Sequence, residues 1–274
     1  MFSVFFIYNS QKISFIFVKK SVLALRYFIK FAYNGTHYHG WQYQPNAASV
    51  QETLNKVFST LLQEKIDIMG AGRTDAGVHA KQMFGHFDSE KSIDSSNFIY
   101  KANSFLPKDI VIYDIILVHE EAHARFDATS RTYHYHIATY KNVFNTYLAW
   151  QFGQNLDIDA MNEAAKLLLD FTDFKCFSKS NTDVNTYNCK VTEAFWTKEN
   201  EALIFTITAD RFLRNMVRAI VGTLINIGLH KITLQDFIKI IEDRNRENAG
   251  FSVPAHGLYL TKITYPYLNE DESI

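Results

Sequence analysis

Apolar and polar positions alternate with two different periods along this chain, and the changes of period mark short elements. Residues 27–33 read as a strand that Gly35 ends. Ser49-Val50-Gln51-Glu52 predicts a helix start, a capping box in which Ser49 and Glu52 satisfy each other's free backbone donors. The helix that follows sets Val50, Leu54, Val57, Phe58, Leu61 and Leu62 on one stripe. Residues 66–69 and 82–88 predict strands on either side of a glycine-rich loop. A helix over 95–105 and a strand over 110–117 complete the first half.

The second half repeats that order. Residues 131–140 alternate as a strand with Tyr133, Tyr135 and Ile137 on one face. A helix is expected over 159–171, and an antiparallel pair over 191–197 and 203–209. Helices over 212–227 and 234–242 follow, then a last strand over 258–265. The pattern predicts an α+β protein of two ferredoxin-like βαββαβ halves, their sheets predominantly antiparallel and touching or continuous, with helices on the outer faces. The expected divisions are an extension over 1–25, an N-terminal domain over 26–120, a C-terminal domain over 121–268 and an acidic tail over 269–274. A central cleft between the halves is the natural site.

Composition narrows the classes. The 274 residues suffice for one large or two modest domains, and 47% hydrophobic with 21% charged excludes a disordered or fibrous chain. Two cysteines cannot build a disulfide framework and fit a reducing compartment. Charge is uneven: Lys12, Lys19, Lys20 and Arg26 stand without an acid at the start, and Glu270, Asp271 and Glu272 crowd the end. Because the net charge is only -1, any nucleic-acid binding must come from placed arginines rather than from bulk charge.

Two apolar runs near the start, 2–8 and 13–18, are split by polar residues and are each far short of the ~20 residues that span a bilayer. They lack the order of a secretory signal. A helical anchor or an unstructured extension dispensable to the fold is expected there, and the protein is expected in the cytoplasm.

Four segments carry candidate chemistry. The loop from Gly70 to His79 fails both phosphate-loop patterns: its third glycine is misplaced for a dinucleotide fingerprint, and Val78 stands where a Walker lysine would be. It displays Asp75 two residues after Arg73, and a nearby cation favours the charged carboxylate that a nucleophile or base requires. An Asp capping an ordinary turn is the plain alternative.

His119-Glu120-Glu121-Ala122-His123 matches H-E-x-x-H, which on a helix would bind zinc with Glu120 as base. The strand-like residues before it and the want of a third ligand oppose that reading. Arg211, Arg214 and Arg218 fall at i, i+3 and i+7, on one stripe of an otherwise apolar helix, where they could meet phosphates or a buried carboxylate. Tyr33, His37, Tyr38, His39, Trp41 and Tyr43 could stack on bases, although closing a patch over a sheet explains each of them more simply.

These motifs together resemble the tRNA pseudouridine synthase A family. The resemblance is carried by Ala32-Tyr33-Asn34-Gly35-Thr36, Gly40-Trp41-Gln42, the run from Gly72 to Ala80, His123-Ala124-Arg125-Phe126 and Arg131-Thr132-Tyr133. It continues through Asp173-Phe174, the run from Phe212 to Arg218 and Gly257-Leu258-Tyr259-Leu260, in family order from about residue 26 to 267. It implies a homodimeric enzyme without cofactor or metal that converts uridine to pseudouridine in the tRNA anticodon arm, typically at positions 38, 39 and 40. By matching motif, Asp75 is the catalytic aspartate, Arg218 its paired arginine and Tyr133 the contact to the target base. Arg73, Arg211 and Arg214 are expected to face the RNA. A zinc hydrolase and a non-catalytic RNA-binding module are the alternatives.

Overall fold

A nine-stranded, mostly antiparallel sheet organises the chain. The structure is a computed structural model and describes residues 3–7, 14–18, 24–179, 184–199 and 202–268. Strands β1 (Ser3–Ile7) and β2 (Ser14–Val18) pair antiparallel with each other, apart from the main sheet. Their aromatic and β-branched composition favours extended backbone, so the helical anchor considered for this region is not what forms. The acidic tail beyond residue 268 lies outside the described residues.

The first half of the sheet comes from β3 (Leu25–Tyr33), β4 (Met69–Gly70), β5 (His79–Ser89) and β6 (Ile110–Val118). Helices α1 (Val50–Leu62) and α2 (Ser95–Phe105) join them. The second half supplies β7 (Ser130–Ala138), β8 (Trp150–Gln151), β9 (Val191–Glu199), β10 (Ala202–Ala209) and β11 (Leu258–Thr264). Its helices are α3 (Ile158–Leu167), α4 (Met216–Gly228) and α5 (Leu234–Glu242). The order is β6-β3-β5-β11-β7-β10-β9, with β4 beside β5 and β8 beside β7. The two parts meet in a short parallel pairing, Tyr259 with His79 and Leu260 with Ala80, immediately after the glycine-rich loop.

The buried apolar side chains form two clusters, the first joined by Leu260 and Ile263 of β11 and the second by Val78. Phe58 of α1 packs edge-on against Phe87 of β5 and Phe98 of α2, at 5.2 and 5.1 Å. In the second half Phe174, Phe177, Phe205 and Phe237 are buried with nearly every side chain of α4. Cys176 and Cys189 are free and buried, which pushes both thiols up to about 12 and leaves them inert.

Local differences from the sequence reading have physical causes. The strand expected over 66–69 shrinks to Met69–Gly70, because side chains of α1 take the ladder's place: Ser59 Oγ accepts from Ile66 N and Asn55 Oδ1 from Ile68 N, each at 2.9 Å. Only half of the box at Ser49 forms, its Oγ accepting from Glu52 N at 3.3 Å. A complete box caps α5, through Thr233 and Asp236. Helix α3 stops at Leu167, short of the expected 171. Helix α4 begins at Met216 rather than 212, since Asn215 takes a left-handed conformation, φ 68°, that interrupts helical hydrogen bonding.

Candidate active site

The loop between β4 and β5 rests on a floor made by residues 33–41. Trp41 N donates to the Thr74 carbonyl at 3.4 Å and Gly77 N to the Tyr38 carbonyl at 3.2 Å. Tyr33 Oη and Thr74 Oγ1 hydrogen-bond at 2.8 Å. Gly40 has φ 91°, and a Cβ there would lie 2.2 Å from the Thr74 carbonyl oxygen, so both conformation and space demand glycine. At the loop's exit, His79 Nδ1 accepts from Gly35 N at 3.0 Å while Nε2 donates to the His256 carbonyl at 3.1 Å. That pattern requires neutral imidazole, and burial lowers the His79 pKa accordingly. The aromatic set of this region divides: Tyr33, Tyr38 and Trp41 are buried supports, and Tyr43 is exposed.

Asp75 stands on this loop with 27% of its side chain exposed. Arg218, from the first turn of α4, brings NH1 to 3.4 Å from Asp75 Oδ2. The same guanidinium is fixed from behind, its Nε donating to the Val253 carbonyl at 2.7 Å while Val253 N donates to the Arg218 carbonyl at 3.3 Å. Arg214 approaches the other oxygen, Nε 3.7 Å from Oδ1. The segment carrying Val253 is itself pinned: Ser252 Oγ accepts from Asn215 Nδ2 at 2.7 Å and from Arg246 NH2 at 3.0 Å.

Tyr133 of β7 packs edge-on against Phe212 at 5.1 Å. Its phenol is pushed up to about 12, mainly by burial, with Arg131 opposing and the Asp75 charge adding to the shift. Tyr133 is therefore a neutral phenol across the physiological range. Two residues earlier, Arg131 donates to four carbonyls: NH1 to Ala128 at 3.1 Å and Asp210 at 2.7 Å, NH2 to Ala71 at 3.2 Å and Arg125 at 2.7 Å. It ties the stem of the Asp75 loop to the 125–128 turn and to the end of β10. Burial lowers its pKa, and the four acceptors share the positive charge.

The sequence has close relatives. A protein-family model described as tRNA pseudouridine synthase matches residues 164–266. A Parabacteroides distasonis protein named tRNA pseudouridine synthase A is 52% identical over 242 residues, covering 88% of this chain and 96% of the relative. The chain belongs to the tRNA pseudouridine synthase A family. Relatives of the same name from Porphyromonas gingivalis and Bacillus subtilis are 50% and 37% identical, over 88% and 85% of this chain and 97% and 96% of theirs.

Within this synthase fold the remaining candidates separate. Arg73 is exposed and its Nε reaches Gln42 Oε1 at 3.3 Å. Arg211 and Arg214 precede α4, so the expected single helical stripe of three arginines does not exist. The break at Asn215 turns Arg214 towards Asp75, and Arg211 reaches the Thr186 carbonyl at 3.5 Å instead. The H-E-x-x-H segment is a turn after β6, not a helix, because the Ala122 amide bonds back to the His119 carbonyl and β6 runs to Val118. Among the described residues no three His, Cys, Asp or Glu side chains are grouped to hold a metal ion. His123 Nδ1 instead accepts from the backbone of Arg125 and Phe126, at 3.1 and 3.2 Å. Sequence reasoning missed Val253 and Arg246 altogether, and took Arg131 only as part of a motif. An arginine two positions from Tyr133 on the same strand face was the available signal for Arg131.

Proposed function

We propose that this enzyme isomerises uridine to pseudouridine in the anticodon arm of tRNA, with Asp75 as the nucleophile. The observation that carries the reading is the Asp75 carboxylate, partly open on a rigidly seated loop and held by Arg218, which is itself fixed to Val253. Similarity to relatives named tRNA pseudouridine synthase A supplies the substrate class.

The reaction breaks the N1–C1′ bond of uridine, turns the uracil and joins C5 to C1′. The hydrogen on C5 goes to solvent and N1 gains a proton, so reactant and product are isomers and nothing external is consumed. Pairing and stacking hide the reacting atoms, so the nucleotide must leave the stack. Asp75 then meets it, with Arg218 holding the carboxylate's orientation and charge. Tyr133, neutral and largely enclosed, offers its ring to the uracil. Arg73, Arg211 and Arg214 serve the RNA backbone.

We further read the chain as two ferredoxin-like halves, 26–120 and 121–268, flanking a central RNA-binding cleft. The orders β6-β3-β5-β4 and β11-β7-β10-β9 support this, since each runs fourth, first, third, second in its half once the two-residue β8 is set aside. A homodimer and a cytoplasmic location complete the reading. Among the described residues no helix is long and apolar enough to cross a membrane.

The test is release of tritium from an unmodified tRNA transcript labelled at uridine C5. Stoichiometric release without added cofactor is expected. A folded protein that binds the transcript and releases no tritium reduces the reading to an RNA-binding module.

A further inference from the structure

We infer that Arg214 is a cation shared between enzyme and substrate. In the free protein it rests on Asp75; when tRNA binds it passes to a backbone phosphate beside the reacting nucleotide and bares Asp75 Oδ1. The inference rests on the function proposed above and states what one residue of that site does when substrate arrives.

The two arginines at Asp75 are held very differently. The Arg218 side chain is 20% exposed and donates at 2.7 Å to Val253. That of Arg214 is 60% exposed, and its only approach to Asp75 is Nε at 3.7 Å, beyond hydrogen-bonding distance. Its guanidinium makes no hydrogen bond to any described residue. An ion pair so long and so exposed contributes little, and giving it up costs little.

The backbone, by contrast, is fixed. The Arg214 carbonyl accepts from Lys179 N at 3.0 Å, Met216 N bonds the Leu213 carbonyl at 3.1 Å, and the side chains of Leu213 and Met216 are buried. Asn215 is locked left-handed, with Nδ2 on Ser252 at 2.7 Å. Any exchange is therefore a swing of the Arg214 side chain alone. Its unengaged terminal nitrogens form the planar fork that takes a phosphate bidentately.

Substrate supplies the competitor. A uridine close enough to react with Asp75 brings the phosphates on either side of its ribose within reach of a side chain that already touches Asp75. Asp75 already has Arg218, whereas the phosphate arrives unpaired. Arg214 moves to the phosphate, and Oδ1, which Arg218 does not hold, faces the nucleotide.

The experiment measures binding of an unmodified tRNA transcript across a salt series, for wild type, Arg214→Gln, Arg214→Lys, Asp75→Asn and the Asp75→Asn/Arg214→Gln pair. Circular dichroism verifies folding. One phosphate contact is worth about 0.7–0.9 in the slope of log affinity against log salt, so Arg214→Gln loses about that much slope and on the order of three- to tenfold in affinity. Arg214→Lys keeps the slope, and the double variant shows the same loss relative to Asp75→Asn. In turnover the deficit of Arg214→Gln falls chiefly on KM. An unchanged slope with a lowered kcat overturns the inference and leaves Arg214 as a partner of Asp75 only. Absence of tritium release by wild type is a separate result, and it strikes the proposed function instead.

Discussion

Arg218 holds Asp75 Oδ2 at 3.4 Å with one nitrogen while another donates to the Val253 carbonyl at 2.7 Å, so one guanidinium is both anchored and charge-bearing. A lysine replaces two nitrogens in a fixed plane by one nitrogen on a flexible stem, so it does not reproduce both contacts in this geometry. Arg218→Lys is expected to lower kcat on the order of a hundredfold. Single-turnover rates and filter binding on the same transcript check this; equal losses in rate and affinity would point to a general RNA contact instead.

Arg131 holds the loop stem by acceptors in three separate segments, Ala71, Arg125 with Ala128, and Asp210. Arg131→Met leaves these carbonyls without their donor and is expected to cost about 2–4 kcal/mol of stability. Denaturant unfolding measures that cost. Arg131→Lys restores only part of it, because one ammonium cannot span the four oxygens.

Gly40 and Gly72 differ sharply despite lying against or within the same loop. Gly40 combines φ 91° with a 2.2 Å approach to the Thr74 carbonyl, whereas nothing lies within 4 Å of a Cβ built on Gly72. Gly40→Ala is expected to destabilise the protein by about 1–3 kcal/mol or more and to displace the Asp75 loop. Gly72→Ala is expected to unfold near the wild-type temperature. Thermal melts of the two variants decide the comparison.

Acid sensitivity follows from histidines whose protonation burial opposes, His79, His123, His134 and His256 among them, and most strongly from two others. His86 and His136 are lowered to about 4, in both cases chiefly by burial. Well above pH 6.5 they are neutral whether folded or unfolded and add no pH dependence. As pH falls below that, the unfolded chain takes up protons that the folded protein refuses, so stability declines until about pH 4. His86 has a further reason to resist protonation, since its Nδ1 accepts from Ala124 N at 3.2 Å. His136 Nε2 is buried and has no hydrogen-bond partner among the described residues. His136→Phe is therefore expected to lessen the fall of the melting temperature between pH 6.5 and 4, with His86 still contributing, without lowering it at neutral pH. Melting curves across that range test the sign; a wild-type curve flat from 7.5 to 4.5 contradicts it.

Much of this architecture was legible because its signals are local. The stripe from Val50 to Leu62 and the alternation of Tyr133, Tyr135 and Ile137 are read from periodicity, and the core buries Leu54, Phe58, Tyr135 and Ile137 as that implies. The family motifs likewise pointed to Asp75 and Arg218, which the structure brings together. What escaped depends on backbone geometry or distant pairing. An apolar run across 212–227 conceals the left-handed Asn215, and with it the departure of Arg211 and Arg214 from the helix. Val253 reaches the site through its backbone carbonyl, which no side-chain pattern reveals. The H-E-x-x-H match failed for the converse reason: its spacing has meaning only on a helix, and β6 runs into a turn there.

The most direct test of the central claim maps pseudouridine at single-nucleotide resolution in an unmodified tRNA transcript treated with wild type or with Asp75→Asn. The account predicts new pseudouridine in the anticodon arm with wild type and none with a folded, tRNA-binding Asp75→Asn protein. Equal product from both proteins would contradict the role given to Asp75.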